Sequence, residues 1–176
     1  MIGSELAGEV VAVGERVERF SLGEAVYGFC GFRMGAYAEY ALLPENGSLV
    51  GKPMTLPYDE AVAYVNGATT ALFFLRELAG MREGDRVLVI GASVSIGTFA
   101  VQLARHFGAT VTGVCSGRNV DLVRSLGAHD VIDCTDRDFA RADDTYDIVF
   151  DTVGRAHSST VCLSSRQTDT TRQPWV

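Results

Sequence analysis

One segment constrains this chain more than any other: the apolar run Arg86–Ile90 (RVLVI), followed directly by Gly91-Ala92-Ser93-Val94-Ser95-Ile96-Gly97. The run predicts a strand buried on both faces. Beyond the turn, Ile96, Phe99, Ala100, Leu103, Ala104 and Phe107 recur at i, i+3, i+4, i+7, i+8 and i+11. That spacing is one face of a helix, and Gly108 stops it. Thr110 to Val114 then supplies a second strand. A buried strand, a tight turn, a helix and a second strand imply a parallel sheet with right-handed crossovers. The same alternation continues downstream. Asn119 is placed to cap a short helix, Val120 to Leu126, ended by Gly127. Val131 and Ile132 predict a third strand, and Asp147 to Phe150 (DIVF) a fourth.

The first sixty or so residues read as β-structure with turns. Ala7 to Val13 (AGEVVAV) is a β-branched run closed by Gly14, and Tyr37 to Leu42 (YAEYAL) is a second strand candidate ended by Pro44. Gly23, Gly28, Gly31 and Gly35 punctuate the stretch between them. Helix signals begin near Pro57. Asp59 to Val65 predicts a short helix and Thr69 to Ala79 a longer one, with Gly80 just past its end. Residues 155–176 follow neither period. Eight of them are Ser or Thr and none is Gly, so they read as a solvated tail or as a coding frame lost just after Gly154.

Composition narrows the function classes. The 22 acidic and 15 basic residues give a net charge of −7, which disfavours nucleic acid and anionic membrane surfaces as partners. No stretch approaches the ~18 apolar residues of a membrane span, and the N-terminus lacks the basic-then-apolar pattern of a signal peptide. A cytoplasmic protein is the expectation. Cys30, Cys115, Cys134 and Cys162 show no paired metal-ligand spacing and read as free thiols. His106, His129 and His157 read as surface residues, and no metal is expected.

The turn after the first parallel strand suits a dinucleotide pyrophosphate seated on a helix N-terminus. Such a site needs a sharp turn, close backbone approach and close helix–strand packing, usually met by three glycines. Here Ala92, Val94 and Gly97 occupy those positions, so only the packing glycine is kept. Read alone, the turn also fits an α/β protein without a nucleotide. The end of the second strand, Val114-Cys115-Ser116-Gly117-Arg118, carries no carboxylate for a ribose 2′-hydroxyl. Its hydroxyl and guanidinium suit a 2′-phosphate; a loop arginine without a ligand is the competing reading.

Taken together, the segments 3–14, 35–44, 66–75, 86–97, 100–116, 119–133 and 146–154 resemble the medium-chain dehydrogenase/reductases, in the zinc-independent quinone-oxidoreductase and enoyl-reductase branch. The resemblance covers residues 1 to about 154. It implies an α/β fold: a partial GroES-like β domain (1–56), then an incomplete Rossmann-type parallel sheet (57–154), with 155–176 as an irregular tail. It further implies NADPH as cofactor. Hydride would pass to the β-carbon of a quinone, enone or enoyl thioester, with protonation at the α-carbon. Thr70 would lie on the nicotinamide side. Gly91, Ala92, Ser93, Val94, Ser95, Ile96 and Gly97 would form the pyrophosphate turn. Ser116 and Arg118 would hold the 2′-phosphate, with Val153 and Gly154 near the cofactor. No residue is assigned as catalytic acid.

The departures matter as much. Ser4 stands in Gly3-Ser4-Glu5 where zinc-dependent members carry the histidine of Gly-His-Glu. Val94 replaces a usual glycine and is expected to crowd the pyrophosphate. Cys134 replaces a usual tyrosine. Relative to the family the chain reads as truncated at both ends, which would leave the fourth strand as an open edge for pairing between copies. A non-catalytic remnant with weak or no cofactor binding is the alternative expectation.

Overall fold

The computed structural model describes residues 2–136 and 145–154. The expected tail at 155–176, with Cys162 and His157, lies outside the described residues. Two compact units divide the chain, Met1–Thr69 and Thr70–Val176.

The first unit carries a three-stranded antiparallel sheet. Its strands are β1 (Glu5–Glu9), β2 (Ala25–Phe29) and β3 (Ser48–Gly51), in the order β1-β2-β3. β1 and β2 pair from Glu5↔Phe29 to Glu9↔Ala25. β2 and β3 pair from Val26↔Gly51 to Phe29↔Ser48. Gly28 is required inside β2, because a Cβ there would stand 2.2 Å from the Ser48 carbonyl oxygen.

This sheet corrects the sequence expectation in three places. Tyr37 to Leu42 is not a strand. Its backbone is irregular and bent, and Tyr37, Tyr40 and Leu42 are exposed. Strand-forming side chains do not make a strand without a partner row, and no described strand pairs with this segment. β1 ends at Glu9, short of Val13. Val10 still bonds to Glu24 and Gly23, but Val11 and Val13 extend past the end of β2 and are exposed. β2 and β3 themselves were hidden by Gly28 and by the brevity of Ser48–Gly51.

The two predicted helices are one. α1 runs Tyr58–Leu72 and passes directly into a π-helical segment, Phe73–Leu78. Gly67 in its middle is tolerated at a cost of about 1 kcal/mol. The Thr69 hydroxyl donates back to the Val65 carbonyl, which keeps that polar group satisfied within the helix. Gly80, at φ +61°, ends the segment as expected.

The second unit holds a four-stranded parallel sheet built from β4 (Arg86–Ile90), β5 (Thr110–Cys115), β6 (Asp130–Asp133) and β7 (Ile148–Asp151). Their order is β6-β5-β4-β7, so the first strand in sequence lies inside the sheet. α2 (Ser95–His106) connects β4 to β5, and α3 (Val120–Ser125) lies between β5 and β6. Val87 and Val89 of β4 and Val111 and Cys115 of β5 pack against Ala100, Val101 and Ala104 of α2 and Val123 of α3. Leu88, Ile90, Val114, Ile132 and Tyr146 form a smaller cluster of their own. Every helix-face residue predicted for α2 lies in or against the larger cluster. Val87, Val89, Val101, Val111 and Val123 are each 0% exposed, and full burial of such a side chain contributes roughly 1.5–3 kcal/mol.

Candidate functional site

The site grows out of the end of β4. Gly91 takes φ +78°, and a Cβ there would meet Thr152 Oγ1 at 2.5 Å and Val153 Cγ1 at 2.8 Å. The N–H groups of Gly91 and Ala92 both donate to the Val114 carbonyl, at 3.0 and 2.9 Å, which pins the turn to the end of β5. The Val94 N–H donates to the Gly91 carbonyl at 3.0 Å and completes the reversal. α2 then starts directly on the turn. A Cβ at Gly97 would stand 2.0 Å from the Gly91 carbonyl oxygen and 2.9 Å from Ala92 Cα. Only glycine allows the helix to lie this close.

The start of α2 is open to a ligand. Val94 is its N-terminal flanking residue and makes no side-chain cap bond. Thr98 N–H is the first to reach back, to the Val94 carbonyl at 2.9 Å. The first-turn N–H groups of a helix, here Ser95, Ile96 and Gly97, have no intrahelical partner. The first turn holds no acid, while Arg105 and His106 sit in the last turn. The helix dipole therefore presents uncompensated positive potential at its start. The residues present fit a diphosphate at this point: an uncapped helix start, a turn held tight by Gly91 and Gly97, and the half-buried Ser93 hydroxyl.

The end of β5 lies beside this turn. Ser116 is half-buried, and Arg118 is exposed within the 3-10 turn Gly117–Asn119. Asn119 Nδ2 donates to Ser93 Oγ at 3.0 Å and to Ser116 Oγ at 3.3 Å, which joins the two loops. The end of β6 supports Gly117 from below. A Cβ at Gly117 would stand 2.3 Å from Asp133 Oδ2. Asp133 accepts bonds from the Thr135 hydroxyl at 2.6 Å and the Thr135 N–H at 2.8 Å. These bonds, with a third from the Gly117 backbone, hold its carboxyl below the usual range. Burial pushes the Cys115 thiol up, with Cys134 and Asp133 adding to the shift.

A family model described as an alcohol dehydrogenase GroES-like domain matches residues 1–54, and one described as a zinc-binding dehydrogenase matches 95–170. A 2-methylene-furan-3-one reductase of Solanum lycopersicum is 36% identical over 167 residues, covering 89% of this chain and 42% of its own length. A Danio rerio protein named NAD(P)H oxidoreductase RTN4IP1, mitochondrial, is 34% identical over 140 residues, covering 77% of this chain and 36% of its own length. The crystal structure of the quinone oxidoreductase of Pseudomonas syringae pv. tomato DC3000 superposes with a TM-score of 0.83 at 30% identity, over 93% of this chain and 52% of that one. The chain belongs to the medium-chain dehydrogenase/reductase superfamily. Its place there is the quinone-oxidoreductase and enoyl-reductase branch. The chain spans about half, or less, of the length of these relatives.

For this medium-chain dehydrogenase/reductase chain, the antiparallel sheet lies in the GroES-like match, and the parallel sheet is Rossmann-like. The match to the second family model runs past Gly154 to residue 170. Of the residues singled out from sequence, Gly91, Ala92, Ser93, Val94 and Gly97 form one turn, and Asn119 joins Ser116 to it. Ser95 is exposed and Ile96 half-buried in the first turn of α2. Val153 touches the position a Gly91 side chain would take. Val153 and Gly154 both donate their N–H to Asp151 Oδ1 at 2.9 Å. Thr70 stands half-buried in α1, three residues before the π-helical segment. Val94 has φ −88° and ψ 168°, an ordinary extended backbone, and its side chain is 40% exposed. The valine therefore strains nothing in the turn itself.

The expected capping role of Asn119 is corrected. It stands at the start of α3 but makes no side-chain cap bond; its Nδ2 donates to the two serine hydroxyls. Thr152 carries no expectation from sequence, yet its hydroxyl donates to the Ile90 carbonyl at 2.8 Å and fastens β7 to the turn. A hydroxyl residue one past a fourth parallel strand was the available signal. The expected third strand, Val131 and Ile132, stops short of Asp133, which β6 includes. The support that Asp133 gives Gly117 comes from the β5–β6 register, Cys115↔Asp133. Among the described residues, no group of three or more His, Cys, Asp or Glu side chains could hold a metal ion. No helix among them is long and apolar enough to cross a membrane.

Proposed function

We propose that this chain carries the NADPH-binding part of a zinc-independent oxidoreductase acting on a quinone, enone or enoyl thioester. Residues 1–56 would be part of its catalytic domain and 57–154 the dinucleotide-binding domain. The single observation that carries the cofactor choice is the end of β5: Asn119 ties Ser116 to the phosphate turn, Arg118 is exposed in the same 3-10 turn, and that strand end has no carboxylate of its own. A carboxylate there serves a 2′-hydroxyl, whereas a guanidinium serves a 2′-phosphate through paired hydrogen bonds.

Bound NADPH would supply the hydride, and the chain's residues would bind and orient it. The N–H groups of Ser95, Ile96 and Gly97 would hold the pyrophosphate. Ser116 and Arg118 would hold the 2′-phosphate, Thr70 would lie on the nicotinamide side, and Val153 and Gly154 would lie near the cofactor. None of these residues is assigned the proton donor. Substrates under this reading are small molecules, and the compartment is the cytoplasm. The net charge of −7 argues against nucleic acid as a partner.

Val94 favours a second reading, in which the chain binds nucleotide weakly or not at all. Its exposed β-branched side chain sits at the helix start where a phosphate must approach the backbone. Titration of wild type and Arg118→Ala with NADPH tests the first reading. Arg118→Ala is expected to weaken NADPH by roughly ten- to a hundredfold, the scale of hydrogen bonds to a charged group. Equal affinities of the two proteins would refute the assignment of Arg118.

A further inference from the structure

We propose that Asn119 is a positioning residue for the phosphates of the cofactor, acting through the hydroxyls of Ser93 and Ser116; this rests on the dinucleotide reading above. Its Nδ2 donates to Ser93 Oγ at 3.0 Å and to Ser116 Oγ at 3.3 Å. The two serines belong to different loops. Ser93 lies in the turn between β4 and α2, and Ser116 follows β5. An amide nitrogen can only donate, so both serine oxygens accept from it. Each hydroxyl therefore keeps its one proton for another acceptor. A dinucleotide with a 2′-phosphate, held as proposed above, would bring phosphate oxygens to both loops.

The position of Asn119 makes this use of its side chain informative. At a helix start, Asn ordinarily turns its side chain onto the first backbone N–H groups. Asn119 makes no such bond. Its own N–H donates instead to the Ser116 carbonyl at 2.8 Å, which closes the turn and fixes the amide between the two hydroxyls. The side chain leaves α3 without a cap bond and directs its amide N–H groups at the two hydroxyls. Asn119 thus sets the polarity of the serines, so that they present protons to an anion.

The test is fluorescence titration of the full chain with NADPH and NADH. It compares wild type with Asn119→Asp, Asn119→Ala, Ser93→Ala/Ser116→Ala and the triple variant, with melting temperatures taken alongside. Asn119→Asp keeps the shape but offers only acceptors, so both hydroxyls turn their protons inward. It is expected to weaken NADPH at least about tenfold, and NADH by a smaller factor. Asn119→Ala is expected to weaken NADPH in the wild-type background, yet to change affinity by less than about twofold once both serines are alanine. An equal loss in the two backgrounds would overturn the proposal, since Asn119 would then act on the helix start alone. So would wild-type affinity in Asn119→Asp. Should that variant fail to fold, the serine variant decides: unchanged NADPH affinity in Ser93→Ala/Ser116→Ala overturns the proposal. Failure of wild type to bind either nucleotide overturns the dinucleotide reading and this proposal together. Binding by wild type with the wrong variant pattern removes only the role of Asn119.

Discussion

Gly97→Ala is the sharpest test of the turn geometry, because two effects of opposite sign compete at one atom. Alanine in a helix interior is favoured over glycine by about 1 kcal/mol. The added Cβ, however, would stand 2.0 Å from the Gly91 carbonyl oxygen and 2.9 Å from both the Gly91 carbonyl carbon and Ala92 Cα. All three are backbone atoms and cannot rotate aside. Ordinary contact is restored only if α2 moves away by more than 1 Å, or if the turn opens and strains the bonds to the Val114 carbonyl. α2 carries Ala100, Val101 and Ala104 into the core at 0% exposure, so its movement opens gaps there. Overpacking costs about 1–3 kcal/mol in ordinary cores, and immovable backbone puts this site at or above the upper end. The net loss is about 2 kcal/mol, or a fall in Tm of roughly 8–16 °C for a domain of this size. Thermal melting by circular dichroism reads it directly. A Gly97→Ala protein as stable as wild type, or more so, would refute the close approach of helix and turn.

Other outcomes follow from the same geometry. Val94→Gly should raise NADPH affinity several-fold while lowering stability by about 0.5–1 kcal/mol, because glycine gains freedom in the unfolded chain; titration and melting of the variant check both. Asp133 has a carboxyl held down chiefly by the Thr135 hydroxyl, then by the Thr135 and Gly117 N–H groups. A lowered folded-state pKa stabilises above the unfolded value of about 3.9 and is lost as pH falls through the folded value. The stability gap between wild type and Asp133→Asn should therefore be full at pH 7 and shrink below about pH 4. A gap constant down to pH 2.5 in denaturant titrations would contradict this. Cys134 is exposed, whereas Cys115 is buried with its thiol pushed up. Iodoacetamide at pH 8 should thus label Cys134 well before Cys115, as peptide mass mapping would show.

What the sequence made legible was local. RVLVI (86–90) became β4 at the same bounds, because a continuous apolar run carries its own evidence of burial. The α2 face was readable from spacing, and Gly80, Gly108 and Gly127 ended their helices at positive φ as expected. What escaped depended on distant partners. β2 exists because β1 and β3 flank it, although AVYGF with Gly28 reads locally as a turn. Tyr37 to Leu42 has strand composition, but only its first N–H finds a described backbone partner, the Ile2 carbonyl at 3.1 Å, and no described strand pairs with it. The site divides the same way. The Gly91–Gly97 turn is contiguous, so its chemistry could be read directly. The bridge from Asn119 to Ser93 spans 26 residues, and the support of Gly117 by Asp133 depends on strand register. Capping preference points Asn119 at α3, whereas the fold brings two serine hydroxyls within reach of its Nδ2 and no cap bond forms.

We propose that the turn after β4 and the loop after β5 together select a 2′-phosphorylated dinucleotide. Parallel equilibrium titrations of the wild-type chain with NADPH and NADH test it most directly. Saturable NADPH binding at least about tenfold tighter than NADH is expected, the discrimination one charged paired contact supplies. Equal affinity for the two, tighter NADH, or no binding of either by folded protein would contradict it.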